Sequence, residues 1–217
     1  MATRGDVAVG WAHRMRATVE QEGTSGQPHF KALLADPDLE AGRAGDDLVH
    51  HLCALYGRRP GLIDHVAGSA DGQDEPWLGG CAVGFALERD LLARLASAVG
   101  AIPGTPGQAA SEAASVQQRQ TVELLARSER RGCALGAAGA LMIDWALLRP
   151  LLDALAVRAG IAAAPIALPS ADRICAKLDS QPAERTRGLN FGAEQLLAQQ
   201  RGLWALLEAR HLARGRS

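Results

Sequence analysis

The segment SERRGCALGAAGALMIDW, residues 128–145, becomes apolar on almost every side after Arg131. A helix that is apolar all round is typical of the centre of a bundle. Gly132, Gly136 and Gly139 each disfavour a helix by about 1 kcal/mol relative to alanine, so we expect them to permit close approach to their backbone. The sequence leaves open whether another helix packs there or a ligand lies in a groove.

Asp144 and Trp145 end this segment, and the carboxylate of Asp144 falls in apolar surroundings. An unpaired buried carboxylate is costly or becomes protonated. We therefore expect an arginine of a neighbouring helix, such as Arg89 or Arg94, to pair with Asp144, and a role in proton transfer is the alternative. The predicted groove, for packing or for a ligand, comprises Gly132, Gly136, Gly139, Asp144 and Trp145.

The composition of the whole chain favours helices. Its 217 residues include 42 Ala and 30 Leu, and only 4% are aromatic. Alanine and leucine are strong helix formers, whereas β-branched and aromatic residues favour strands. The sequence predicts an all-α protein, an irregular helical bundle of four long helices plus several short ones, in a single domain over residues 1–217. An amphipathic helix within residues 1–24 is expected to pack on this domain or to lie at its periphery.

Capping residues and apolar periodicity indicate where the helices lie. We expect helices at 6–22, from about 37, at 44–56, from about 60, and at 76–99, 108–131, 133–148, 170–179 and 182–213. Pro150 should kink or restart the helix that contains it. The positions expected to face the core include Leu48, Val83, Leu87 and, on the weak apolar face of 108–131, Leu124.

Charge and hydropathy exclude several classes of partner. The net charge of −1 disfavours nucleic acid. Residues 1–110 carry 14 acidic and 9 basic side chains, and residues 111–217 carry 10 and 14, an asymmetry that can orient an encounter with another protein. No uncharged run is long enough to span a membrane, and no secretory signal is evident. We therefore expect a cytoplasmic protein that has no membrane partner and can form a homo-oligomer.

The cysteines follow the pattern of buried thiols. Cys53, Cys81, Cys133 and Cys175 have neither disulfide-like nor zinc-like spacing. Each lies in an apolar stretch, where cysteine behaves as a small hydrophobic residue. The sequence predicts four free thiols.

Motifs for catalysis or phosphate binding are missing, with one exception. An acid three positions before a histidine occurs at Asp47/His50 and at Glu208/His211, and such pairs supply ligands in di-iron bundles. His50 is expected to face solvent, whereas His211 lies on an apolar stripe with Glu208 beside it, and Glu88 lies on the apolar face of its helix. These three, Glu88, Glu208 and His211, are too few, so we predict no metal site and no cofactor.

Three stretches resemble a known family: residues 125–138 with Asp144 and Trp145, then FGAEQLL at 191–197 and RGLWALLEAR at 201–210. In these stretches the chain resembles a functionally uncharacterised family of alphaproteobacterial all-helical proteins. The resemblance covers about the C-terminal half. It implies a bacterial, cytosolic, helical protein and assigns no site residues.

Two functional hypotheses follow. The first is a non-enzymatic binding or interaction protein that acts through a surface or groove, and it depends on the absence of catalytic motifs and on the glycine-rich helix. The second is a metal-dependent, ferritin-like enzyme or a small-molecule enzyme, with a carboxylate and histidine site in the bundle core.

Overall fold

The computed structural model describes residues 10–35, 43–70, 72, 74–101, 104 and 107–215. All regular secondary structure in these residues is helical. The α-helices are α1 (Trp11–Glu22), α2 (Pro28–Ala35), α3 (Arg43–Tyr56), α4 (Leu62–Gly68), α5 (Glu75–Val99), α6 (Gln108–Ala126), α7 (Cys133–Arg158), α8 (Ala171–Asp179) and α9 (Thr186–Arg214). Short 3-10 turns at Thr24–Gly26 and Ala183–Arg185 precede α2 and α9. The all-α prediction is confirmed, and α5, α6, α7 and α9 are the four long helices.

Several helix ends agree with their local signals. The Ser170 hydroxyl accepts a hydrogen bond from the backbone N–H of Arg173 at 3.4 Å and so caps α8 at the start of the helix predicted over 170–179. Gly132 precedes α7 with a φ of 84°, a left-handed conformation that only glycine adopts readily. The helix start predicted near residue 37 lies outside the described residues.

Three boundaries differ from the prediction. Pro28 was predicted to end a loop over residues 23–28 but occupies the first position of α2, a helix that the sequence did not predict. The sixth helix ends at Ala126 rather than near residue 131. Helix α7 continues through Pro150 to Arg158, so the predicted restart is wrong; Pro150 is exposed, and the buried leucines on both sides of it hold the helix in place.

Helix α7 lies at the centre of the core. It is buried on nearly all sides and contacts α1, α4, α6, α8 and α9, the last most extensively. Ala12, Met15 and Val19 of α1 are buried, and α1 packs on α7, α8 and α9. The buried apolar side chains of the described residues form one hydrophobic cluster.

The contact between α7 and α9 is made through glycine backbones. A Cβ atom at Gly136 would overlap the carbonyl oxygen of Leu189, and one at Gly192 would overlap the carbonyl oxygen of Cys133. A Cβ atom at Gly188 would likewise overlap the carbonyl oxygen of Arg131. The backbone of α9 therefore occupies the space beside Gly136.

The core-facing sides of α5 and α6 differ in part from the prediction. Leu48 in α3 is buried as expected, but Val83 and Leu87 in α5 are 69% and 52% exposed, and Leu124 in α6 is 72% exposed. The apolar surface of α5 is broad. Helices α3 and α4 pack on α5, and its buried side is the one that carries Phe85 and Leu92. Residues in α6 that face the core are mostly small or polar, so apolar periodicity alone pointed to the wrong face.

All four cysteines are free thiols, as predicted, and three of them are buried. None of the helices in the described ranges is both long and apolar enough to cross a membrane.

The close packing of α7 on α9 predicts a large cost for one added methyl group. We expect Gly136→Ala to destabilise the protein by roughly 1–3 kcal/mol, because the methyl group must displace the backbone of α9. The matched control is Gly80→Ala in α5, where the added Cβ meets open space, and it should stabilise by up to about 1 kcal/mol. Urea unfolding of both variants measures the difference, and equal free energies of unfolding would contradict this account.

Candidate functional site

Asp144 is fully buried and lies at the centre of a hydrogen-bond network. Its Oδ1 accepts from the backbone N–H of Thr24 at 2.6 Å, and its Oδ2 accepts from the Thr24 hydroxyl at 2.7 Å and from Nε2 of Gln200 at 2.6 Å. The Tyr56 hydroxyl donates to Oε1 of Gln200, and Nε1 of Trp204 donates to the Thr24 hydroxyl. Burial raises the pKa of Asp144, while the three donors oppose this shift.

The predicted arginine partner of Asp144 is wrong. Arg89 pairs with Asp64, and Arg94 pairs with Asp90 at 3.0 Å. Neutral donors satisfy the Asp144 carboxylate instead, and the principal one comes from the loop after α1, a segment without apolar periodicity. The absence of a side chain at Gly23 is the sequence signal for this approach, because a Cβ there would overlap Oδ1 of Asp144.

Glu88 and Trp145 belong to a second buried network. Oε2 of Glu88 accepts from Nε1 of Trp145 at 2.9 Å, and Oε1 accepts from Arg149 at 2.7 Å. Arg149 also donates to Asp153 at 2.9 Å and to the carbonyl of Ala164. Burial raises the pKa of Glu88, and the Trp145 donor and Arg149 oppose it. Both carboxylate oxygens of Glu88 are therefore occupied.

Glu208 and His211 are exposed near the end of α9, so their predicted position on or beside the buried stripe is wrong. The ring of His211 lies 5.4 Å from that of His29. His29 is buried, and its Nε2 has no hydrogen-bond partner. Burial and the neighbouring His211 lower the pKa of His29. The described ranges contain no group of three His, Cys, Asp or Glu side chains placed to hold a metal ion.

The cleft beside Gly132 is small and polar. It has a volume of about 210 Å³, and Ser128, Arg130 and Arg185 are among its lining residues. The guanidinium of Arg130 stacks on Phe191, 4.5 Å from the ring centre, and Arg185 donates to the side chain of Gln181 at 2.8 Å. These two arginines are thus engaged in contacts within the protein.

A larger pocket lies between α3 and α6, and we call it the α3–α6 pocket. Its volume is about 320 Å³, at the lower end of the range for small-molecule sites. The lining residues are His50, His51, Ala54, Gln108, Ser111, Glu112, Ser115, Val116, Arg119 and Arg210. Polar side chains predominate in this set.

His51 is held in one tautomer at the wall of the pocket. It is 5% exposed, and its Nδ1 lies 2.7 Å from the backbone carbonyl oxygen of Asp47. A carbonyl only accepts, so Nδ1 carries the hydrogen and Nε2 is left as an acceptor. Burial lowers the pKa of His51, and the nearby Arg210 lowers it further. The imidazole is therefore neutral near pH 7.

Two other polar atoms of the lining residues lack a hydrogen-bond partner among the described residues. Nε2 of His50 and Nε of Arg119 are buried without a hydrogen bond. The Ser115 hydroxyl donates to the carbonyl of Ser111 at 3.0 Å, but the Ser111 hydroxyl makes no hydrogen bond in the part of the chain that the structure describes. Unsatisfied buried polar groups are uncommon in native proteins and indicate a bound water or ligand.

The floor of the pocket is fixed by a buried carboxylate. Asp47 accepts from Arg210 at 3.1 Å and pairs with Arg214 at 2.6 Å. Arg210 also donates to Gln108 at the start of α6, at 2.8 Å. These bonds tie the end of α9 to α3 and α6 and set the distance between the pocket walls.

The sequence did not predict this pocket. His50 was expected to face solvent and the small apolar residues of α6 were expected to face the core, whereas His50 is half-buried and Ser111 and Ser115 are buried. The available signal was the recurrence of polar residues at 108, 111, 115 and 119, which share one helical face.

These features define a helical protein with buried polar networks around Asp144 and Glu88 and a small pocket between α3 and α6. The chain belongs to DUF6975, a family of unknown function whose sequence profile matches residues 19–215. The resemblance to an uncharacterised family is confirmed, and the match extends well beyond the C-terminal half. No curated protein and no solved structure matches the chain.

Removing the Asp144 carboxylate should destabilise the fold strongly. We expect Asp144→Ala to cost about 3 kcal/mol or more, because the donors of Thr24 and Gln200 lose their buried acceptors. The control is Asp90→Ala, an exposed acid of α5 that pairs with Arg94, for which about 0.5 kcal/mol or less is expected. Chemical denaturation measures both, and a near-neutral Asp144→Ala would show that the network contributes little.

The lowered pKa of His29 predicts that the protein loses stability in mild acid. Its pKa is lowered from 6.5 in the folded protein, so the unfolded chain binds more protons below that pH and unfolding becomes easier as the pH falls. His51 contributes in the same direction. Between pH 7.5 and 5.5, we expect His29→Gln to lose less stability than the wild type, while the exposed control His13→Gln follows the wild type. Identical pH profiles for all three proteins would refute the assignment.

Proposed function

We propose that this protein is a non-enzymatic binding protein whose ligand occupies the α3–α6 pocket. One observation carries the proposal: His50, His51, Ser111 and Arg119 line one pocket, and Nε2 of His50 and Nε of Arg119 are buried without a hydrogen-bond partner among the described residues. Each unsatisfied buried group costs about 1–3 kcal/mol. A ligand with matching donors and acceptors recovers that cost.

The alternative, an enzyme with a carboxylate and histidine site in the bundle core, has less support. Both oxygens of Glu88 and both oxygens of Asp144 already accept hydrogen bonds. Neither carboxylate lines the α3–α6 pocket or the cleft beside Gly132. Both side chains are buried.

The remaining predictions from the sequence belong to the same proposal. We infer a bacterial, cytoplasmic protein that has neither nucleic acid nor a membrane as its partner. Formation of a homo-oligomer is compatible with the exposed Val83 and Leu87, which lie one turn apart on α5.

Binding to the pocket can be tested with simple probes by NMR. Acetamide offers an N–H donor for Nε2 of His51 and a carbonyl acceptor for the Ser111 hydroxyl, and 2-propanol offers a hydroxyl. We expect either probe to cause saturable shifts of the backbone amide signals of His51 and Ser111 in ¹⁵N-labelled protein.

The variant Ser111→Leu fills the pocket and should abolish these shifts. Ser97→Leu, at an exposed position of α5, is the control and should retain them. The melting temperatures of both variants report whether they remain folded. Scattered shifts that do not saturate, or that persist in folded Ser111→Leu, would overturn the proposal.

A further inference from the structure

A second, narrower pocket adjoins the α3–α6 pocket. It is lined by Tyr56 at the end of α3 and by Val122 and Ala126 further along α6. Arg119 lines both pockets. Its guanidinium therefore lies between the lining around Ser111 and a second pocket in which Arg58, His65 and Glu123 accompany apolar side chains.

The Arg119 side chain is partly open to the pocket. It is 24% exposed, its Nε is buried without a hydrogen bond, and its ion-pair partner Glu123 lies 3.7 Å from that atom and is half-exposed. A guanidinium presents parallel N–H donors that match the two oxygens of a carboxylate.

A carboxylate suits this pocket better than a phosphate does. Glu112 lines the same pocket and brings a negative charge of its own. Arg210, the other arginine of the lining, already binds Asp47 and Gln108. A dianionic phosphate would meet one available guanidinium and a repelling acid, whereas a monoanion needs one cation only.

The other end of the pocket requires a neutral polar group. The Ser111 hydroxyl lacks a partner within the described chain, and Nε2 of His51 accepts a hydrogen bond, so a ligand hydroxyl can donate to His51 and accept from Ser111. Ser111 and Arg119 are eight residues apart in α6, about 12 Å along the axis, and the long arginine side chain spans part of this distance. The ligand must therefore be elongated.

We propose that the ligand is a small elongated organic acid, bound by its carboxylate at Arg119 and by a hydroxyl at Ser111 and His51. This inference rests on the proposed function of the α3–α6 pocket and specifies its ligand class.

Four six-carbon probes separate the contribution of the carboxylate to binding from that of the hydroxyl: 6-hydroxyhexanoate, hexanoate, 1,6-hexanediol and 6-amino-1-hexanol. We expect 6-hydroxyhexanoate to bind most tightly in NMR titrations, hexanoate and 1,6-hexanediol to bind about tenfold more weakly, and the cationic amino alcohol to bind weakest. The Arg119→Met variant keeps most of the side-chain length and loses the charge. This variant should bind 6-hydroxyhexanoate about tenfold more weakly than the wild type and bind 1,6-hexanediol with unchanged affinity.

Arg187→Met, at an exposed position of α9, is the matched control and should bind all four probes as the wild type does. If the diol and the amino alcohol bind at Ser111 while both acids fail, or if Arg119→Met binds the hydroxy acid normally, the ligand class is wrong and the pocket remains a binding site. If none of the four probes, acetamide or 2-propanol shifts the signals of the pocket, the proposed function itself fails.

Discussion

The contact of α7 with α9 is the constraint on which the remaining structure depends. Gly136 on one helix and Gly188 and Gly192 on the other let two backbones meet where any Cβ atom would overlap a carbonyl oxygen. Such a contact fixes both the register and the rotation of the two helices, because a shift by one residue would bring a side chain into the same space. Helix α7 is then covered on its other sides by α1, α4, α6 and α8, which explains why its sequence has no polar face.

That register also aligns the polar groups of the core. Asp144 of α7 and Gln200 of α9 meet because the glycine contact sets the two helices at one relative position, and the hydrogen bond between them is a consequence of it. The Thr24 loop and Tyr56 then join from α1 and α3. A carboxylate with three neutral donors and no cation in its network is costly to bury unless every bond forms. We infer that this network selects one arrangement of the four segments over near alternatives.

The sequence predicted elements better than it predicted partners. The helical class, the central position of 133–148, the cap at Ser170 and the free cysteines all depend on local chemistry or composition, and the structure agrees. The partners of Asp144 could not be predicted. A carboxylate in an apolar helix must receive hydrogen bonds, but the sequence of that helix does not indicate which loop supplies the donors. For α6, burial of Ser111 and Ser115 in place of Leu124 depends on the side from which α3 and α9 approach, and periodicity within one helix does not contain that information.

The α3–α6 pocket exists because small polar residues occupy positions where large apolar residues would fill the contact between the two helices. Where α7 meets α9, both helices carry glycine and the contact closes completely. Between α3 and α6, serines and histidines stand at the contact, and Asp47 with its two arginines holds the helices at a fixed separation. Serine is too small to fill the gap and too polar to be buried without a partner, so the interface stays open and keeps unsatisfied hydrogen-bonding groups at its walls. A site of this kind reduces the stability of the empty protein, and this loss is recovered when a matching ligand binds only to the folded state.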